Sequence, residues 1–152
     1  MKFDTSLGTL WLDANEHALT TVSYTKISES KTANPVILEQ AKEEILQFLD
    51  GQLTAFTVPY EFIYGTSFQQ EVWHALAQIP YGKTCCYQDI AEQIQRPKAV
   101  RAIGQANRKN PLPIIIPCHR VIGKGGQLTG YSGSSAEGLA IKQQLLTVEQ
   151  NE

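Results

Sequence analysis

The sequence predicts two units in tandem: a small α/β lobe over residues 1–65, a sheet with one helix, joined to a mainly α domain over residues 66–152 that contains a helix-turn-helix. Three observations predict this. The first third of the chain alternates apolar and polar residues, then passes into one amphipathic helical stretch. From Thr66 onward apolar residues recur at helical spacing, interrupted by turns at Pro80 and Pro97. Charge is also divided along the chain. Residues 1–80 carry four basic and ten acidic side chains, a net −6, whereas residues 81–124 carry eight basic and two acidic, a net +6.

In order along the chain, Leu10 and Leu12 and then Leu19, Val22 and Tyr24 form two alternating runs. Asp13-Ala14-Asn15-Glu16 between them reads as a hairpin turn, and residues 26–34 read as a polar loop. Pro35 suits the first turn of a helix, where an N–H has no partner to lose. Ile37, Leu38, Ala41, Ile45, Phe48 and Leu49 then make one apolar face, and Gly51 closes the helix. Residues 55–63 are a further strand candidate. Nothing in this lobe points to chemistry.

In the second unit, Thr66 and Gln69 form a capping box ahead of a stripe of Phe68, Val72, Leu76 and Ile79. Pro80-Tyr81-Gly82 ends that helix. A helix over Tyr87–Gln95 buries Tyr87, Ile90, Ala91 and Ile94; after Arg96-Pro97, another over Lys98–Asn107 buries Val100, Ile103 and Ala106. Two short helices joined by a tight turn, with Arg101 and Arg108 in or just after the second, have the form of a helix-turn-helix. Ala99, Ala102 and Gly104 let that helix approach a partner surface closely. The glycine-rich stretch 123–133 is either a surface loop or a pocket wall, with Tyr131 and Ser132 as contacts. Ser134 and Glu137 cap a last helix carrying Leu139, Leu145 and Leu146. Glu149 falls on the same stripe, either as a frayed terminal residue near solvent or as the partner of something buried.

Composition narrows the function. With 152 residues, 42% hydrophobic and 18% charged, the chain is that of an ordinary globular protein. It has no apolar run long enough for a membrane span, and Met1-Lys2-Phe3-Asp4 does not begin a signal peptide. Three cysteines, two of them adjacent at Cys85 and Cys86, do not make a disulfide framework; a reducing cytosol is expected. No Cys-x-x-Cys pair occurs, so a structural zinc site is not expected. The positive segment 81–124 is the footprint of an anionic partner, or else a solvated basic face.

The most informative stretch is Pro113 to Gly123. The apolar run Ile114–Ile116 stops at Pro117, which cannot donate to a sheet ladder, and hands over to Cys118, His119 and Arg120. A soft nucleophile, a titratable base and a permanent cation in three consecutive positions suggest a reactive cysteine beside something anionic. A free cysteine after an apolar run is otherwise a small buried hydrophobe.

Together these segments resemble the O6-alkylguanine-DNA alkyltransferase family. Arg101-Ala102-Ile103-Gly104, Ala106-Asn107, Asn110-Pro111, Ile116-Pro117-Cys118-His119-Arg120-Val121-Ile122-Gly123 and Gly130-Tyr131-Ser132-Gly133 occur in the family's order and spacing, over about residues 66–149. The resemblance implies a ribonuclease-H-like N-terminal lobe and a winged-helix-like C-terminal domain. It implies that Cys118 accepts the alkyl group, with His119 its base through a water and Glu149 behind His119. Asn110 matches the asparagine that braces the active-site loop, and Tyr87 the tyrosine that donates to the guanine leaving group. Arg101 matches the arginine that replaces the flipped base in the stack; Tyr131 and Ser132 match the pocket wall, and Gln88 a DNA-backbone contact. The partner implied is double-stranded DNA containing O6-alkylguanine, with O4-alkylthymine and cooperative assembly on DNA left open. No cofactor is implied, and a monomer in the cytoplasm or on the nucleoid is expected. The sequence departs from the family at Gln144, where tryptophan is common, and at Val148 and Gln150, where histidine and glycine flank the glutamate. It also has Cys85-Cys86 where small hydroxyl residues are frequent.

The chemistry wants such residues. An ordinary cysteine is a few per cent thiolate at pH 7, so full ionisation gains at most roughly thirty-fold. Positioning and leaving-group assistance must supply the rest. Rival readings are a lesion-binding sensor or regulator without chemistry, and a thiol hydrolase using Cys118 and His119.

Overall fold

The structure, a computed structural model, describes residues 1–127 and 136–150. The chain divides into two compact units. One comprises Met1–Tyr64 with Pro111–Ile115, the other Gly65–Asn110 with Ile116–Asn151.

The first unit is an antiparallel meander of β1 (Lys2–Thr5), β2 (Gly8–Ala14) and β3 (Leu19–Ser23). The register pairs Phe3 with Leu10 and Leu12 with Val22, which places these apolar side chains on one buried face. Helix α1 (Pro35–Leu49) covers it with Ile37, Ala41, Ile45 and Phe48. Asn34 caps α1, its side-chain oxygen accepting from the Val36 N–H at 3.0 Å.

Three details differ from the sequence expectation. Strand β1 was not anticipated, because Phe3 is its one core residue and four residues carry little periodicity. The hairpin reverses two residues later than predicted. Ala14 is itself buried, so β2 runs through it, and Asn15 makes the turn by accepting from the N–H groups of His17 and Ala18, both at 2.8 Å. Residues 55–63 do not form a strand. They meet β3 at a single parallel bridge, Leu19 to Tyr60. Pro59 has no N–H to extend a ladder, and the backbone just before it is taken by Glu44 on the inward face of α1.

The Glu44 carboxylate accepts from Thr57 N at 2.8 Å, Val58 N at 3.1 Å, Thr57 Oγ1 at 2.7 Å and Gln40 Nε2 at 3.0 Å. Burial pushes its pKa up, and these hydrogen bonds together outweigh burial and hold it below the usual carboxylate value. Glu44→Ala, which strands two backbone donors, is expected to cost about 1–3 kcal/mol, measured as a fall in the urea midpoint at pH 7.5. Because the folded pKa is depressed, this contribution is present above the unfolded pKa of about 4.3 and is lost as pH falls through the folded value. The wild-type and variant curves should therefore converge in acid.

The second unit contains α2 (Ser67–Leu76), α3 (Tyr87–Gln93) and α4 (Val100–Arg108), packed on one another, and α5 (Ala136–Gln150). The capping box of Thr66 and Gln69 forms as read, with bonds of 3.1 and 2.9 Å. Phe68 is not part of the buried stripe; it lies half-buried with the Arg96 guanidinium 5.7 Å from its ring centre. Trp73 fills the core instead, and its indole N–H donates to the Ala106 carbonyl at 2.8 Å, tying α2 to α4. Helix α3 ends two residues earlier than expected, as Gln95 adopts a left-handed φ of 63° before Pro97. Two-residue strands β4 (Cys85–Cys86) and β5 (Val121–Ile122) pair in parallel, Cys85 with Val121 and Cys86 with Ile122. Elements this short leave no pattern in a sequence. The predicted cap at Ser134 lies outside the described residues.

Candidate active site

Pro117 shapes the turn that presents Cys118. With φ −78° and ψ 62° it occupies the inverse γ-turn well, and the Cys118 N–H closes on the Ile116 carbonyl at 2.7 Å. The next three residues, Cys118–Arg120, wind into a 3-10 turn rather than extended chain. Consecutive side chains there diverge by about 120°, so His119 points away from Cys118. The apolar run before Pro117 is not a strand either. Ile114 holds a φ of 76°, a strained value for a β-branched residue, inside a buried turn.

Cys118 is 2% exposed. Burial pushes its thiol up to about 11, against the Asn110 side chain, the positive charge of Lys142 and the backbone N–H groups of Cys118 and His119, all of which favour the thiolate. Asn110 also donates to the Ile116 carbonyl at 2.8 Å, so one amide holds both the approach to the turn and the sulfur. Asn107, on α4, donates to the Cys118 carbonyl at 3.4 Å.

His119 is fully buried, with Nε2 2.6 Å from Glu149 Oε2. Burial drives its pKa down, partly opposed by Glu149. Burial also pushes Glu149 up, but the hydrogen bonds and charges of His119 and Arg120 together bring it below the ordinary value. The pair is therefore a neutral imidazole on an ionised carboxylate. Nε2 carries the proton that Glu149 accepts, and Nδ1 is the basic nitrogen, a tautomer assigned from the hydrogen bonding.

Glu149 is thus the partner of something buried, not a frayed terminus, at 3% exposure. It also accepts from Arg120 Nε at 2.9 and 3.0 Å and from the Gly82 N–H at 3.0 Å. Arg120 in turn donates to the Ile79 carbonyl at 2.6 Å and lies over the Tyr81 ring. Arg120 therefore belongs to the interior and not to the exposed positive field, and Arg96 is paired with Glu71 at 3.3 Å. Lys83, Lys98, Arg101, Arg108, Lys109 and Lys124 remain exposed.

A cleft of about 310 Å³ is lined by Tyr87, Arg101, Gly104, Arg108 and Gly123, among others. Tyr87 follows β4 and Gly123 follows β5, so the cleft lies at the end of the strand pair that leads out of the Cys118 turn. Gly104 faces open space in it; a Cβ there would meet nothing within 4 Å. Gln88 does not line the cleft, and its amide donates to the Pro97 carbonyl at 3.3 Å across the helix-turn-helix. Tyr131 and Ser132 lie outside the described residues.

The structure thus brings together Cys118, His119, Glu149 and Asn110, and groups Tyr87 with Arg101. Sequence reasoning missed Arg120 as the second partner of Glu149, Asn107 at the Cys118 carbonyl, and the buried Lys142. The one signal that could have found Lys142 is its position seven residues before Glu149, two turns along the same helix face. The arrangement suits a nucleophilic sulfur served by an oriented, neutral base, beside a basic cleft.

Residues 67–151 match the family described as "6-O-methylguanine DNA methyltransferase, DNA binding domain". The constitutive methylated-DNA–protein-cysteine methyltransferase of Bacillus subtilis is 46% identical over 139 residues, 91% of this chain and 76% of that protein. The methylated-DNA–protein-cysteine methyltransferase of Methanosarcina acetivorans is 41% identical over 153 residues, 97% and 95% of the two chains. Among solved structures, Mycobacterium tuberculosis OGT in complex with DNA superposes with a TM-score of 0.86 at 42% identity, covering 98% of this chain and 91% of that one.

Proposed function

This chain belongs to the O6-methylguanine-DNA methyltransferase family, and on that premise we propose that Cys118 is the residue that takes the alkyl group. The protein is a methylated-DNA–protein-cysteine methyltransferase that repairs alkylated DNA by direct transfer. The observation that carries the assignment to Cys118 is the buried His119–Glu149–Arg120 array behind a sulfur held by Asn110.

In this reading the substrate is O6-alkylguanine in double-stranded DNA. The lesion is turned out of the stack, at a cost of a few kcal/mol, because its alkyl carbon is inaccessible within the duplex. The Cys118 proton passes to His119 Nδ1 through a water, since the two side chains diverge. The sulfur attacks the alkyl carbon, the S–C bond forms, and the C–O6 bond breaks. The departing guanine receives its proton with help from Tyr87. Glu149 holds the imidazole in the required tautomer, as the acid does in hydrolytic triads. Arg101 fills the space left by the flipped base, and Gln88 contacts the DNA backbone. Asn110 positions the sulfur. Residues 1–65 form a ribonuclease-H-like lobe, and residues 66–152 a winged-helix-like domain that binds DNA and accepts the alkyl group. The exposed cations bind phosphates without reading sequence, so affinity falls steeply with salt. No described helix is long and apolar enough to cross a membrane. In this reading the protein works as a monomer, in the cytoplasm or on the nucleoid.

Nothing in this scheme regenerates the thiol from a thioether. In excess duplex bearing one O6-methylguanine, intact and peptide masses are expected to show one added methylene on Cys118, saturating at one per molecule. Turnover beyond one equivalent, or an unmodified Cys118 in folded, reduced protein that binds the lesion, would sink the proposal.

A further inference from the structure

Asn107 has no part in the scheme above, although it is a polar side chain on α4, 1% exposed, in contact with the Cys118 backbone. Its amide is oriented by that contact. Nδ2 donates to the Cys118 carbonyl at 3.4 Å, and a carbonyl oxygen cannot donate there, so Oδ1 is the atom turned away. Oδ1 is buried and meets no donor among the described residues. Such an acceptor is costly to keep and rare in folded proteins. The carbonyls of the turn are already engaged. That of Ile116 accepts from Asn110 and the Cys118 N–H, that of Pro117 from the Arg120 N–H, that of Cys118 from Asn107 and the Val121 N–H, and that of Val121 from Lys142.

A base reacting at Cys118 is within reach of this oxygen. Counting along the bonds of Cys118, the 3.4 Å contact and the width of an amide, Oδ1 lies no more than about 10 Å from Sγ. A guanine whose alkyl carbon is about 3–3.5 Å from Sγ carries its exocyclic amine within about 9 Å of the sulfur. Alkylation at O6 removes the proton from N1, so that amine is the one hydrogen-bond donor left on the base. Asn107 is closed off no more than Cys118 itself, 2% exposed, which the alkyl group has to reach.

We propose that Asn107 is a specificity-determining residue: its Oδ1 accepts from the exocyclic amine of the flipped O6-alkylguanine, and so reads the base whose alkyl group the sulfur takes. This rests on Cys118 being the acceptor of that group. No covalent bond to Asn107 forms or breaks. In the free protein the unpaired acceptor weakens the fold, and the arriving amine satisfies it. A base without the amine leaves it unsatisfied, which is how a polar site discriminates between substrates of one shape.

The test uses the whole protein, with single-turnover transfer from two duplexes that differ at one position. One carries O6-methylguanine. The other carries O6-methylhypoxanthine, which has the same alkyl group on the same ring system and no amine. Both lie opposite an abasic site, so neither base has a pairing partner to lose on flipping. At subsaturating DNA the wild type is expected to prefer the guanine duplex by about fivefold or more, the effect of one neutral hydrogen bond. Asn107→Leu, close in volume, loses the Cys118 carbonyl contact for both duplexes alike and should lose most of the preference. A wild type with no preference overturns the proposal, and so does an Asn107→Leu protein that keeps it. A second measurement leaves Asn107 in place. In Cys118→Ala protein labelled with 13C-asparagine, the Asn107 Cγ signal should move downfield on binding the guanine duplex and stay put on binding the hypoxanthine duplex; equal shifts overturn the proposal. If neither duplex alkylates wild-type Cys118, the alkyl-transfer reading fails and the role of Asn107 fails with it. Transfer from both at equal rates removes the role of Asn107 alone and leaves that reading standing.

Discussion

Cys118→Ala protein, mixed with duplex carrying O6-methylguanine, is expected to keep its mass unchanged while binding that duplex as tightly as the wild type. The expected effect is total, because no other group in the scheme becomes bonded to carbon. The substitution removes one buried heavy atom, so stability should fall by only about 1 kcal/mol. In the proposed scheme binding is set elsewhere, by the exposed cations Lys98, Arg101, Arg108 and their neighbours. Intact mass and a gel-shift titration on the same preparation separate the two properties. If the alanine protein still gains a methyl group, the acceptor lies elsewhere, with Cys85 and Cys86 the remaining cysteines to examine. If it loses binding as well, the division between sulfur and basic face is wrong.

The second large effect is expected at Glu149. Glu149→Ala leaves the Arg120 guanidinium buried at 7% exposure without its carboxylate, strips Nε2 of His119 of its acceptor, and frees the Gly82 N–H. Breaking a buried pair from one side costs roughly 3–5 kcal/mol, a large share of the stability of a domain this size. Transfer should slow as well, since nothing then holds the imidazole tautomer. Glu149→Gln should retain more stability than Glu149→Ala and still transfer slowly, because a neutral amide keeps the volume but neither the charge nor the tautomer preference. Urea unfolding and single-turnover rates on both variants check this. A Glu149→Ala protein as stable as the wild type would show that the pair contributes little.

The same pair sets the acid limit of the wild type. Glu149 is depressed in the fold, so its contribution exists above the unfolded value of about 4.3 and disappears as pH falls through the folded one. His119 is also depressed; below its unfolded value of about 6.5 the unfolded chain binds a proton that the folded chain refuses. Both terms have the same sign, so the wild type should lose stability in two stages on acidification, and Glu149→Ala should lack the lower one.

Much of this protein was legible in the chain. Helix α1 and the start of α2 were marked by Pro35, by the Thr66–Gln69 box and by apolar spacing, all of which act within a few residues. The turn that carries Cys118 was legible too, since Pro117 ends the apolar run wherever the rest of the chain goes. Short or exceptional elements were not. Strand β1, the β4–β5 pair and the failure of residues 55–63 to form a strand depend on which backbone groups find partners far away, as Glu44 does with Thr57 and Val58.

By itself the sequence determined the longer local elements, the adjacency of Cys118, His119 and Arg120 after Pro117, and the concentration of positive charge, because each follows from residues close together. Only the tertiary structure decided what those charges do. Arg120, counted with the basic segment, turns inward to Glu149 thirty residues from His119, and Lys142 disappears into the core beneath Val121. Whether a charged side chain faces water or a buried partner depends on desolvation and on the geometry of distant groups, and neither is written in the order of residues near it.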